Sequence, residues 1–143
     1  MKKVLFLVIA GGLFCCKNTV IYKKEEGIAY KETVVLSDVP KATLTFFEVE
    51  DSRCPEGVQC VWAGNATVDL LLTGVTTEGG VNQHVKMCLG NCSGRGFVAA
   101  DTLEKKFAGN EYRLILSAVT PAPKADVPVK KENYSVHLKI EKK

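Results

Sequence analysis

Residues 134–141, Tyr134-Ser135-Val136-His137-Leu138-Lys139-Ile140-Glu141, alternate apolar and polar side chains almost without a break. Successive side chains of an extended strand point to opposite faces. Tyr134, Val136, Leu138 and Ile140 therefore share one face, and Ser135, His137, Lys139 and Glu141 share the other. This is the pattern of an antiparallel strand with one face on a core and one on water. The period of two recurs upstream. Ala66, Val68, Leu70 and Leu72 share a face against Thr67, Asp69 and Thr73, with Leu71 the exception. Val81, Val85, Met87 and Leu89 lie opposite Asn82, His84 and Lys86, and Tyr112, Leu114, Leu116 and Ala118 fall in register. Residues 28–36 and 42–50 are further β-rich runs, split by the turn signal Ser37-Asp38-Val39-Pro40, and 97–103 is a weaker strand. A single turn of helix near 103–107 is the one helical element expected.

About seven short strands follow, with turn chemistry at 77–80 and 108–110 and a proline-rich connection over 121–128. The prolines cannot donate to a ladder, so that connection stays outside the sheets. The chain is expected to be all-β: an antiparallel, immunoglobulin-like β-sandwich, with a small barrel as the alternative.

The composition fits one globular domain. The chain has 143 residues, 46% hydrophobic and 24% charged. A net charge of +3 argues against nucleic acid as a partner, since such binders carry a dense basic face. Two features stand out: a mean hydropathy of +0.05 and six cysteines.

The N-terminus accounts for part of both. Met1-Lys2-Lys3 is followed by an apolar run over 4–14 and then by Cys15-Cys16, a secretory signal pattern. The run is shorter than the roughly 20 residues needed to span a bilayer. Leu13-Phe14-Cys15-Cys16 resembles the lipobox of bacterial lipoproteins, with Leu13 three residues before the acceptor Cys16. Cys15 stands where that motif usually has Gly, Ala or Ser. Taking Cys15 as the acceptor puts Gly12 and Phe14 at those positions, a poorer fit. The resemblance implies that Cys16 becomes the mature N-terminus and carries a diacylglycerol thioether and an N-acyl chain. Each buried methylene contributes about 0.8 kcal/mol, and several chains together make a stable anchor. The resemblance thus implies a bacterial envelope protein seated on a membrane without spanning it. The expected organisation is a signal over 1–15, a tether over 16–26 and the β domain over 27–143. Removing the signal takes two of the 19 basic residues, leaving 17 against 16 acidic ones. No electrostatic argument about a partner survives that balance.

Cys54, Cys60, Cys88 and Cys92 remain in the domain. Export favours disulfides, and four cysteines allow three connectivities. The close spacings favour Cys54–Cys60 and Cys88–Cys92, each contributing roughly 2 kcal/mol on the chain-entropy model; pairing between the two loops stays open. Tetrahedral zinc is the rival use of these residues. Neither spacing is C-x₂-C, so no metal site and no cofactor are expected.

The most distinctive stretch is Asp51-Ser52-Arg53-Cys54-Pro55-Glu56-Gly57-Val58-Gln59-Cys60-Val61-Trp62-Ala63-Gly64-Asn65. Its Ser-Arg-Cys-Pro and Cys-Val-Trp-Ala-Gly elements resemble a pattern of small exported bacterial proteins of uncharacterised function. The run from Tyr112 to Pro123 resembles that group's penultimate strand, which ends in Pro-x-Pro. The resemblance implies a β-sandwich and carries no activity. Physically, the stretch is a disulfide-closed loop between two strands. Trp62, the one tryptophan, is expected to pack over the disulfide and close one end of the core. A competing reading leaves Trp62 exposed beside Arg53 as a surface for sugar or protein. A third makes the constrained loop a protease-binding loop.

Catalytic patterns are missing. His84 and His137, the two histidines, both fall on polar strand faces. There is no H-E-x-x-H, G-x-S-x-G or Walker loop. The glycine-rich run over 90–96 lacks the Lys and the following helix of a phosphate loop, and is expected to be a hairpin loop closed by Cys88–Cys92. The sequons at Asn65, Asn91 and Asn133 suggest no role in a bacterium. The expectation is a lipid-anchored envelope protein that acts by binding a protein or glycan, or as a structural component, without catalytic residues. The alternatives are a protease-inhibitor-like binder working through Cys54–Cys60, or a hydrolytic enzyme.

Overall fold

The computed structural model describes residues 27–143 and, as a backbone strand, residues 19–23. The alternation read from the sequence is reproduced in burial. Ala66, Val68, Leu70 and Leu72 are inside, as are Tyr134, Val136, Leu138 and Ile140. Leu44, Leu70, Leu114 and Leu116 are fully buried, each contributing about 2 kcal/mol relative to exposure.

The described strands are β1 (Thr19–Lys23), β2 (Ile28–Ala29), β3 (Thr33–Ser37), β4 (Ala42–Asp51), β5 (Asn65–Thr76), β6 (Gly79–Cys92), β7 (Gly96–Val98), β8 (Asp101–Phe107), β9 (Asn110–Thr120) and β10 (Ser135–Lys142). One turn of 3-10 helix, Lys131–Asn133, precedes β10. One antiparallel sheet has the order β3-β4-β5-β6-β7; the other has β1-β10-β9-β8, with β2 also on β10. Their apolar faces meet in one core. The all-β antiparallel sandwich is therefore present. Neighbouring strands are mostly consecutive in the chain, so the likeness to an immunoglobulin domain lies in the layers and not in the strand order.

Three local expectations are corrected. The run over 28–36 is two strands, because the chain turns at Lys31 with φ 64°. Residues 103–107 are not helical: they belong to β8, which pairs with β9 from Asp101↔Leu116 to Phe107↔Asn110 and so satisfies its backbone in a ladder. Residues 19–23 of the expected tether form β1 against β10, from Thr19↔Lys142 to Lys23↔Lys139. The signal and Cys16 lie outside the described residues.

Bulges adjust two strands. Ser117 has no opposite partner on β10, so Val119 turns inward where Ala118 was expected. Phe47 is the extra residue of β4, so it faces out and Val49 faces in.

The strands define two poles. At one, short turns join β3 to β4, β5 to β6 and β8 to β9, and Thr19 and Lys142 lie beside them. At the other lie the connections 52–64, 93–95 and 121–134. Strand β6 folds over at this loop pole. Gly90 pairs with both Asn65 of β5 and Val98 of β7, at φ 94°. A Cβ there would lie 2.7 Å from the Gly64 carbonyl oxygen, so a side chain does not fit.

Candidate functional site

The loop pole is assembled around two aspartate–arginine pairs, each next to a disulfide. Asp51 and Arg53 lie two residues apart on extended chain, so their side chains reach the same side. Arg53 Nε and Nη2 donate to the two Asp51 carboxylate oxygens at 2.8 and 2.6 Å. Its Nη1 donates to the Val119 carbonyl at 2.8 Å, and Nη2 also to the Pro121 carbonyl at 3.0 Å. The Tyr134 hydroxyl donates to Asp51 Oδ2 at 3.0 Å. The group ties the end of β4 in one sheet to the end of β9 and the start of β10 in the other. Burial pushes the Asp51 carboxyl up, but the hydrogen bonds from Arg53 and Tyr134 outweigh it and hold it below the usual range. Burial, and then the bond to Asp51, push the Tyr134 hydroxyl up to about 12.

The second pair repeats the arrangement. Arg95 donates to the two Asp101 oxygens at 2.7 and 3.2 Å, and the Cys88 amide donates to Asp101 Oδ2 at 2.9 Å. Burial raises Asp101, but Arg95 and the Cys88 amide together hold it below the usual range.

Both short-range disulfides are formed, Cys54–Cys60 and Cys88–Cys92, and they take up all four domain cysteines. Residues four apart on a straight strand are about 13 Å apart. Cys88 and Cys92 have Cα atoms 6.1 Å apart, so their bridge spans the bend of β6 at Gly90. It staples this corner and leaves the 93–95 turn outside it, which corrects the expected hairpin-loop closure.

The loop between β4 and β5 is held along its base. The Cys54 amide donates to the Ala63 carbonyl at 2.8 Å, and the Glu56 amide to the Pro123 carbonyl at 2.9 Å. Gly64, at φ 67°, sits so close beneath Ser52 that a Cβ would lie 1.9 Å from the Ser52 oxygen. The tip is free of the core. Val58 and Val61 are exposed, and Trp62 is 77% exposed. Trp62 therefore does not close the core, and the packing reading of it is corrected: the braced base holds residues 58–62 off the sandwich. Arg53 has a structural task of its own. Its guanidinium is taken up by Asp51 and two carbonyls and so braces the loop, and Arg53 and Trp62 line different clefts.

Two clefts open at this pole and adjoin through Gly64. The larger, of about 490 Å³, is lined by Trp62 with Ser52, Asn65, Asn91, Ser93 and glycines of the 94–96 turn, and no lining side chain carries a charge. Its floor is ordered: Ser52 Oγ donates to Asn65 Oδ1 at 3.2 Å, Asn65 Nδ2 to the Asn91 carbonyl at 3.3 Å, and the Asn91 amide to the Gly64 carbonyl at 2.8 Å. The second cleft, of about 390 Å³, has Phe97, Leu89 and Val119 in its wall, and Arg53 belongs to this one. The sequence reading missed the asparagines as a pair. Asn65 and Asn91 begin two sequons 26 residues apart, and only the β5–β6 pairing, Asn65↔Gly90, makes them neighbours.

The histidines lie elsewhere. His84 Nδ1 is 3.0 Å from both oxygens of Asp69, and the ring meets Phe47 edge-on with centroids 4.9 Å apart. This pair stands on the outer face of β5 and β6. The adjacent hollow, of about 30 Å³, is lined by Asp69, Glu48, Glu50, Thr67 and Lys86. It reads as a cross-strand pair on an open sheet face. His137 stands half-buried on the outer face of β10. No helix among the described residues is long and apolar enough to cross a membrane. Comparison with known proteins returns no matching family model, no matching curated protein and no matching solved structure.

Proposed function

We propose that the chain is an exported, lipid-anchored envelope protein that binds a partner through its loop pole without catalysis. The observation that carries this reading is Trp62, held in water by a loop whose base is fixed by a disulfide, backbone bonds and the Arg53 brace. Val58, Val61 and Phe97 are exposed at the same pole. Large apolar groups gathered at one end of a small domain mark an interaction site, and a fixed loop loses little entropy on binding. Export rests on the basic-apolar-Cys15-Cys16 pattern, and two disulfides are in keeping with an oxidising compartment. Strand pairing supports the orientation. Thr19, three residues after Cys16, pairs with Lys142 at the far end of β10, whereas Ser135 and Thr120 pair beside the loop pole. A lipid on Cys16 then leaves the turn pole toward the membrane and the loop pole away from it.

Two measurements test this. Cys16→Ala is expected to abolish fatty-acid labelling and membrane fractionation; retention of both overturns the anchor. A photo-reactive residue at Val61 is expected to give adducts in intact cells, and the same group at Val39, exposed at the turn pole, is not. Equal labelling from both, or none from Val61, overturns the binding pole.

The exposed Val58 and Gln59 inside the Cys54–Cys60 bridge favour a second reading, a protease-binding loop. Inhibition of an envelope protease that disappears with Val58→Asp is the result that would establish it over the first.

A further inference from the structure

We infer that the larger cleft at the loop pole is a binding site for a neutral oligosaccharide, with Trp62 as its stacking platform and Asn91 and Ser93 as hydrogen-bonding groups. This rests on the binding role proposed for that pole and names the ligand class. A pyranose ring presents an apolar C–H face and a rim of hydroxyls. Its complement is one exposed aromatic face surrounded by uncharged groups that both donate and accept. The cleft has that chemistry. Among the described residues, the Trp62 indole N–H, the Asn91 amide side chain and the Ser93 hydroxyl have no hydrogen-bond partner, while Ser52 and Asn65 fix the floor between them. With no charged side chain in the lining, nothing there would reward an acidic sugar or a phosphate. About 490 Å³ falls within the usual range of small-molecule sites, about 300–1,000 Å³.

The second cleft extends the site. It shares Gly64 with the first and carries Phe97, itself exposed, a second aromatic surface beyond the first. Two adjoining aromatic clefts suit a chain of several sugar units better than one unit. Cys88–Cys92 staples the β6 corner that carries Asn91, and Cys54–Cys60 with the Cys54–Ala63 backbone bond holds the loop that carries Trp62, so the platform and Asn91 are set before ligand arrives.

The single tryptophan makes the test direct, because all indole emission from the full-length chain comes from the site. Neutral hexamers of glucose and of N-acetylglucosamine are titrated against the full-length protein, with polygalacturonate and a proline-rich decapeptide as contrasts. At least one neutral hexamer is expected to give a saturable blue shift of emission. Asn91→Ala is expected to weaken it about tenfold, as loss of one buried hydrogen bond does. Phe97→Ala is expected to weaken binding of that hexamer and to leave binding of the corresponding disaccharide, titrated in the same way, unchanged. Trp62→Ala, followed by calorimetry, is expected to abolish binding, and its exposed position leaves the fold intact. No shift with either neutral hexamer, a shift indifferent to Asn91→Ala, or equal binding of polygalacturonate overturns the inference. A shift with the decapeptide alone overturns the saccharide and keeps the binding pole. Failure of Val61 cross-linking as well removes the reading beneath it.

Discussion

The two poles of the sandwich are built from the same strands and differ in almost everything else. At the turn pole, β3–β4, β5–β6 and β8–β9 are joined by short turns, and the charges there pair in water, as Lys143 does with Glu104 at 2.7 Å. At the loop pole two connections, 52–64 and 121–134, are long, and both disulfides and both aspartate–arginine pairs are concentrated there. A hairpin turn is ordered by the strands it joins, whereas a loop of thirteen residues such as 52–64 must be ordered by contacts of its own. The loop pole therefore shows where the chain commits extra bonds to hold a non-core surface in one shape.

That contrast can be broken, and the largest expected effect is at Arg53. Arg53→Ala leaves Asp51 covered and unpaired and frees the Val119 and Pro121 carbonyls. Urea unfolding is expected to show a loss of about 4 kcal/mol, the usual scale for removing one partner of a covered pair. An unchanged midpoint would return Arg53 to the role of a contact residue.

Two glycines sharpen the contrast. Gly64 and Gly109 both have positive φ, 67° and 75°. Alanine at Gly64 meets the Ser52 oxygen, whereas at Gly109 nothing lies within 4 Å. Gly64→Ala is expected to cost about 3 kcal/mol, and Gly109→Ala about 1 kcal/mol, the left-handed penalty alone. Equal costs at the two sites would remove the packing argument for the loop pole.

The Cys54→Ala, Cys60→Ala double variant is expected to lose roughly 2 kcal/mol. Hydrogen exchange should rise in residues 53–63 and stay unchanged at the 77–78 and 108–109 turns. Uniform loosening across both poles would contradict local stapling.

The response to pH is expected to be smaller and greatest at the loop pole; at the turn pole Lys143 and Arg113 also hold Glu104 below the usual range, but that carboxylate stands in water and contributes little. Asp51 and Asp101 titrate lower in the fold than the ordinary 3.8. Their contribution is complete above that value and is lost as the pH falls below it. Tyr134 titrates at about 12 against 10.0 in the unfolded chain, so its contribution holds below pH 10 and is lost as the pH rises toward 12. Asp51→Asn should flatten the acid limb of a urea-midpoint profile; an identical limb would assign the acid sensitivity elsewhere. At the bottom of the scale, Lys143→Ala at the turn pole should leave the midpoint where it is, as exposed pairs do.

Much of this molecule was legible in the chain because strand burial is a local, periodic property. The period of two over 66–72 and 134–141 places the same apolar residues inside as the structure does, and the exception is Glu141, expected outside but covered and paired with Arg113 and Lys139. Cysteines four and six residues apart also read correctly, since short loops close most readily. Local signals failed where a partner strand decided the outcome. Residues 103–107 are strand because β9 lies alongside, and Val119 is inside because Ser117 bulges against β10.

The candidate site divides along the same line. Sequence alone determined the all-β class and most core faces, favoured the two short cysteine pairs and marked residues 51–65 as distinctive, because strand alternation and short spacings are local properties. Tertiary structure alone decided what those residues do. Arg53 became a brace because Val119 and Pro121, 66 and 68 residues away, present their carbonyls to it. Trp62 became a surface because that brace and its neighbours hold its loop away from the core. Asn65 and Asn91 became one cleft because β5 and β6 pair and β6 then folds at Gly90. Each of these is a contact between distant segments, and no local period encodes which distant groups will meet.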